Sequence, residues 1–221
     1  MNIVNKAAIL DPCSLCATSA RPLLERASRS FAHCPRCDLI FVPRVCHLDA
    51  EAQRARYAKH RNSADDAGYV AMLRRPVALL RQYHPAARRV LDYGCGREQI
   101  LVGLLRREGY EAVGYDPLYG SDADMSSPFD AVVAVESMEH FPEPGGELQR
   151  IRGLLAPGGC LVVMTALHRG PDTIKDWWYA RDPTHVSFYS AATMTYIAEA
   201  FGFRILFTDN KRNLVLQAGE G

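Results

Sequence analysis

Arg89-Val90-Leu91-Asp92-Tyr93-Gly94-Cys95-Gly96 (89–96) decides the fold. Its first half is a short apolar run that ends on an acid, which predicts a buried strand over Arg89–Asp92. Glycines follow at once and open a helix from Gln99. Glycine at such a junction lets the backbone turn tightly and approach a ligand closely, at the strand end where open α/β sheets bind ligands. Against the dinucleotide fingerprint G-x-G-x-x-G, Gly94 and Gly96 match while Gln99 stands at the third glycine position, so the turn alone is a weak nucleotide signal.

Outward from the turn, short apolar runs alternate with amphipathic stretches beyond Arg88, the pattern of an α/β sheet. Strands are predicted near Arg89–Asp92, Ala112–Tyr115, Ala131–Val135, Cys160–Thr165, Phe203–Phe207 and Leu214–Leu216. Helices fit Gln99–Glu108, Pro144–Leu155 and Ala191–Phe201, and Pro157-Gly158-Gly159 reads as the stop between the second of these and the next strand. Asp116 ends the second strand, 20 residues after Gly96, about where an acid meets ribose hydroxyls. With Asp92 before the glycines, it favours a nucleoside carrying an amino-acid tail over one that needs a phosphate cradle.

Four segments in order then resemble the class I methyltransferases that use S-adenosylmethionine (SAM): VLDYGCG (90–96), GYDP (114–117), FDAVVAVESMEHFPEP (129–144) and LLAPGGCLVVMT (154–165). The resemblance implies a doubly wound, mainly parallel seven-stranded sheet with helices on both faces. It implies that the turn holds the cofactor through Asp92, Tyr93, Gly94, Cys95 and Gly96, that Asp116 and Pro117 border the ribose, and that Glu136 and His140 stand at the pocket wall. Asp124 or Asp122 is the adenine-side acid on the same grounds. One departure is visible: many members of that family have a glycine where this chain has Glu98. A glycine-punctuated α/β domain whose Asp92 and Asp116 merely cap turns is the competing reading, and four ordered segments argue against it.

Cysteine arithmetic sets the N-terminus apart. Of seven cysteines, Cys13, Cys16, Cys34 and Cys37 form two Cys-x-x-Cys pairs with 17 residues between Cys16 and Cys34, a spacing that suits a four-thiolate zinc site. Such a site leaves no open position, so the zinc reads as structural, supplying folding energy that so short a core lacks. Residues 47–87 read as a helical connector that lids the pocket, with Asn62 to Asp66 offering caps to a helix that starts near Asp66. The expected division is therefore a zinc-ribbon module over 1–46, the connector over 47–87 and a SAM-binding domain over 88–221.

The segment from Trp177 to Tyr189 concentrates aromatic and titratable groups after the strand predicted near Cys160–Thr165, where a loop borders the ligand crevice. His185 suits a general base that removes the acceptor's proton, Asp182 suits its orienting partner, and Tyr179 or Trp178 an aromatic wall. Turn-capping and core packing are the plain alternatives for these side chains. The Cys-x-x-Cys pairs, CPRCDLIFVP (34–43), HRNSADDAGY (60–69) and WYARDPTHVSFYS (178–190) together look like a bacterial subgroup of zinc-ribbon methyltransferases, in which Asp182, Thr184 and His185 belong to a recurrent motif near the active site. Glu136, Glu139 and His140 suggest a second metal, but neighbours on one helix turn do not share a face, so the pocket-wall reading is preferred.

A formal charge of +1 gives no global field for a polyanion, and the aromatic segment favours a small-molecule acceptor of the methyl group on O, N or S. Five N-terminal arginines (Arg21, Arg26, Arg29, Arg36, Arg44) keep an RNA- or protein-modifying enzyme as the second reading, and a non-catalytic SAM-binding regulator as the third. Without an apolar run of about 18 residues or a signal-peptide pattern, the expectation is a soluble, cytoplasmic chain with no membrane partner.

Overall fold

The computed structural model describes residues 11–26, 29–58, 63–121 and 124–220, so the expectations for Asp122 and residues 60–62 lie outside it. The N-terminal part runs β1 (Arg21–Arg26), β2 (Arg29–His33), β3 (Ile40–Phe41), α1 (Ala50–Tyr57) and α2 (Ala67–Tyr83). Then come β4 (Arg89–Tyr93), α3 (Ile100–Arg107), β5 (Glu111–Asp116), β6 (Gly120–Ser121), β7 (Phe129–Val135), α4 (Pro144–Leu154) and β8 (Leu155–Met164). The chain closes with β9 (Ser187–Phe188), α5 (Ala191–Ala200), β10 (Phe203–Thr208) and β11 (Asn213–Ala218).

The large sheet has the order β10-β11-β8-β7-β4-β5-β6. Parallel pairing is confined to its centre, β5·β4·β7·β8, while β11, β10 and β6 join antiparallel. Six strands of five or more residues carry the sheet, and the outermost β6 is a two-residue edge. The four central strands are near-continuous apolar runs because both of their faces are covered. Adjacent Val132 and Val133, neither exposed, point to opposite sides of the pleat. Val133 packs under α2 and α3 with Leu73, Val77, Leu101 and Leu105; Val132 packs under α4 and α5 with Leu148, Ile151, Met194 and Ile197. Each such side chain contributes about 1.5–3 kcal/mol on burial.

Pro157-Gly158-Gly159 corrects one expectation. The helix ends at Leu154 and β8 begins at once, so these three residues lie inside the strand. They bulge out between the pairs Phe129↔Leu155 and Ala131↔Cys160, with Gly158 at φ +71 and no room for a Cβ on Gly159 beside Asp130 O at 2.9 Å.

A second, wholly antiparallel sheet has the order β1-β2-β3-β9. Its fourth strand comes from residues 187–188, so its hydrogen bonds cross the sequence division at 46/47. Phe31, Ile40, Val42, Ile174, Tyr179, Val186 and Phe188 form a small core between this sheet and the 166–188 segment. Across the 87/88 division, α2 is capped by Asp66, which accepts from Tyr69 N at 3.0 Å, and buries Leu73, Val77 and Leu80 against the large sheet. Of the connector, α1 is the helix whose Gln53 and Tyr57 face the cavity described next, joined there by Tyr69 of α2. Among the described residues no helix is long and apolar enough to cross a membrane.

Candidate active site

After β4 the backbone turns at Gly94 (φ +91) and Gly96 (φ +64), in the left-handed region that glycine enters without a Cβ penalty. Gly94 N and Cys95 N both donate to Tyr115 O, at 2.8 and 3.1 Å, which clamps the turn to β5. A Cβ on Gly94 would lie 2.5 Å from Ser137 Cβ, so the close approach is steric as well as torsional. Gln99, where the fingerprint has its third glycine, itself adopts the left-handed conformation (φ +47), and Glu98 beside it points its side chain outward, 65% exposed. The turn therefore keeps a glycine-like path without the glycines, at about 1–2 kcal/mol for Gln99.

A cavity of about 550 Å³ opens above this turn. Tyr93, Gly94, Cys95, Gly96, Asp116, Pro117, Glu136 and His140 all line it, together with Tyr57, Tyr69, Leu118 and Thr184. Asp116 is fixed by its own backbone neighbourhood: Oδ2 accepts from Gly96 N at 3.0 Å, and Oδ1 from Leu118 N at 2.9 Å and Tyr119 N at 3.3 Å. A carboxylate has about four acceptor sites, so capacity toward the cavity remains. Asp92 is 2% exposed and stands beneath the turn rather than on the cavity wall. Burial, with Asp116 adding repulsion, pushes its carboxyl up to about 8. Burial likewise raises the Cys95 thiol to about 12.

Opposite the turn, Glu136 directly follows β7, held at φ +47, and a short 3-10 turn over Met138–His140 comes next. Three hydrogen bonds lay residues 184–187 against it: Val186 N donates to Glu139 O (2.8 Å), the His140 side chain's Nδ1 lies 3.0 Å from Thr184 O, and Ser187 Oγ donates to Phe141 O (2.8 Å). This brings the His140 and His185 rings to 4.8 Å, centroid to centroid, with Tyr57 edge-on to His140 at 5.3 Å. Glu139 is fully buried, its Oε2 accepting from Thr165 Oγ1 at 2.8 Å, and Tyr179 OH donates to Glu136 Oε2 at 3.3 Å. Burial raises both carboxyls to about 7.

Several expected residues stand elsewhere. His185 does not line the cavity: it lies behind His140, 8% exposed, with Nδ1 at 2.8 Å from Tyr179 O. Burial, then the His140 ring, holds its imidazole down to about 3, which suits neither uptake of a proton near neutral pH nor contact with an acceptor. Asp182, expected to orient His185, accepts from Thr184 N (2.9 Å) and Thr184 Oγ1 (2.6 Å) and pairs with Arg56 of α1 at 2.6 Å. The carbonyl of Tyr179 is what holds the ring. Tyr179 itself is buried behind Glu136. Asp124 is exposed, caps its own turn through Ser126 N at 2.9 Å, and is not on the cavity wall. Tyr57 and Tyr69 were legible only as helix stripe residues, and nothing local to them announces a cavity.

None of the four cysteines of the two pairs lines this cavity; they converge at a site of their own. Sγ atoms of Cys13 and Cys37, and of Cys16 and Cys34, are 3.5 Å apart, and all four lie within 4.8 Å of one another. Each pair makes the same turn, with Ala17 N bonded to Cys13 O and Asp38 N to Cys34 O, and the residue after each pair, Ala17 or Asp38, takes a positive φ of 57 or 58.

A model of the family described as "Methyltransferase domain" matches residues 57–207, more than half of the 221. The chain belongs to that family. A ubiquinone biosynthesis O-methyltransferase of Alkalilimnicola ehrlichii is 32% identical over 109 residues, 38% of this chain and 43% of the relative. One from Xylella fastidiosa is 31% identical over 102 residues, 35% and 41% respectively, so the match spans less than half the length of these curated relatives. Among solved structures, Burkholderia thailandensis 1,6-didemethyltoxoflavin-N1-methyltransferase, with S-adenosylhomocysteine bound, superposes with a TM-score of 0.56 at 17% identity, covering 91% of this chain and 99% of that one. Magnesium protoporphyrin IX methyltransferase of Synechocystis gives 0.51 at 17%, covering 76% and 94%. At these identities the structural likeness speaks for the fold.

Proposed function

We propose that the chain is a SAM-dependent methyltransferase that methylates an O, N or S atom of a small molecule in the cavity above Gly94–Gly96. The observation that carries this reading is the cradle itself: a turn with no space for a Cβ at Gly94, bonded through Gly96 N to the Asp116 carboxylate, both on the wall of one cavity. These residues fit the cofactor, with Gly94, Cys95 and Gly96 along its methionine part, Asp116 on the ribose hydroxyls, and Pro117 and Leu118 toward the adenine. SAM, when bound, supplies an activated methyl group on a sulfonium. The chain's own contribution is positioning and exclusion of water, the dominant effects where a cofactor carries the reactive group. Tyr57, His140 and Thr184 on the facing wall contact the acceptor, and Glu136 and His140 are the titratable groups that face it. We assign His185 and Tyr179 to holding that wall rather than to receiving the proton. The names of the curated relatives favour an oxygen acceptor.

On this reading residues 1–46 carry a structural Zn²⁺ on Cys13, Cys16, Cys34 and Cys37, residues 47–87 supply the wall at α1, and residues 88–221 hold the cofactor. Sulfurs 3.5 Å apart in two facing turns suit a tetrahedral thiolate site. The test is calorimetric titration with S-adenosylhomocysteine. Wild type is expected to bind at micromolar level, and Gly94→Ala to weaken binding roughly 100-fold, about 2.7 kcal/mol. No heat with wild type at saturating ligand, or an unchanged affinity in Gly94→Ala, overturns the reading.

A further inference from the structure

Three side chains from two segments point coordinating atoms at one spot beside the cavity. Ligand atoms of Glu139, His140 and His185 all lie within 4.8 Å of one another. Glu139 is fully buried, and its Oε1 has no hydrogen-bond partner; that same oxygen sits 4.0 Å from His140 Nε2. Leaving a buried carboxylate oxygen unpaired costs roughly 1–3 kcal/mol or more, so its orientation needs a reason. Glu136 adds a second buried oxygen, Oε1, with no hydrogen-bond partner, on the cavity side of the same segment.

The two imidazoles are prepared in the same way. His140 Nδ1 lies 3.0 Å from Thr184 O and His185 Nδ1 2.8 Å from Tyr179 O. A carbonyl only accepts, so each ring carries its proton on Nδ1 and keeps its lone pair on Nε2, the tautomer that a metal ligand needs; in His140 that nitrogen is the one beside Glu139 Oε1. Glu139 Oε2 is held by Thr165 and Glu136 Oε2 by Tyr179, which leaves one oxygen of each carboxylate over. Ligands fixed by outer hydrogen bonds are the usual construction of a metal site.

We propose that Glu139, His140 and His185, completed by Glu136, bind a divalent first-row cation at the cavity wall. Mixed carboxylate and imidazole donors suit Mn²⁺, Fe²⁺ or Zn²⁺, and the set differs in kind from the all-thiolate cysteine cluster. Sequence reasoning set this site aside because Glu139 and His140 are neighbours. The 3-10 turn and the stitched 184–187 strip bring both side chains to a common point with His185, which lies 45 positions after His140. His140 and Glu136 open onto the cavity, so a cation here would stand where an acceptor must sit.

The test is Mn²⁺ titration of the full chain, read as loss of the free-ion signal in electron paramagnetic resonance. Thiolates are poor ligands for Mn²⁺, so the cysteine cluster does not contribute. We expect one Mn²⁺ per chain with a Kd below roughly 100 µM, weakened at least ten-fold in Glu139→Gln and in His185→Ala. Should either variant fail to fold, His140→Gln at the cavity surface serves in its place, and Mn²⁺ must also raise the Tm of wild type. A wild type that takes up no Mn²⁺ at millimolar concentration, or variants that bind it as wild type does, overturns the proposal. Because no cofactor enters this measurement, its failure is separable from a failure to bind S-adenosylhomocysteine.

Discussion

Two clusters of metal-type ligands in this molecule are built on opposite plans. At the cysteine cluster, each half is a four-residue turn that presents two sulfurs by itself, and the fold has only to bring two turns together. At Glu139, His140 and His185 no local segment suffices: a 3-10 turn and a stitched strip from 45 positions on both contribute, and the result opens onto the cavity. The first plan yields a closed site that can only stabilise. The second leaves a coordination face exposed at a place that is internally strained, with Glu136 at positive φ and orphaned carboxylate oxygens.

The largest effect that separates them should come from Cys34→Ser. Cys34, with no exposure, belongs to the main core as well as to the cysteine cluster, so the variant is expected to lose the zinc we propose there and roughly 10 °C or more of Tm. Elemental analysis beside calorimetry reads both, and a metal-free chain with wild-type Tm would remove the structural role. Next is the pH dependence of cofactor binding. Burial raises the Asp92 carboxyl to about 8, so below that pH it is mainly protonated and places no charge beneath the turn assigned to the cofactor's methionine part. Affinity for S-adenosylhomocysteine should rise between pH 6 and pH 8, by up to about ten-fold per unit, and flatten in Asp92→Asn. A flat wild-type profile breaks this account. Smallest is Glu139→Gln, which removes a buried charge and is expected to leave the metal-free Tm unchanged or raise it by a few degrees. A loss comparable to that of Cys34→Ser would make the two clusters alike.

What was legible in the sequence follows the same divide. The glycine turn, Asp116 and the cysteine pairs are readable because a few consecutive residues fix each geometry. The cap on α2 was readable for that reason too: Asp66 bonds Tyr69 N three residues on. By contrast, β9 has two residues and finds its partner, Ile40–Phe41, almost 150 positions away, with no periodicity to announce it. The Arg56–Asp182 ion pair that ties α1 to the aromatic segment is equally non-local. His185 was read as a base from its type and place, but the Val186–Glu139 bond and the Tyr179 carbonyl turn it inward behind His140. Pro157-Gly158-Gly159 shows that a helix stop and a strand bulge draw on the same residues, and only the register with β7 separates them.

One consequence concerns how this protein can be cut. Because β9 completes the N-terminal sheet, a truncation that begins after residue 46 would not yield a tidy catalytic fragment. It would strip the cover from Phe188 and Val186 and leave β9 as a raw edge, a template for intermolecular pairing. The same strip carries Thr184 and His185, so the far wall of the cavity would lose its splint along with its neighbour. Here evolution has welded the accessory piece to the chemistry, and grafting or swapping it would demand that residues 183–190 travel with it.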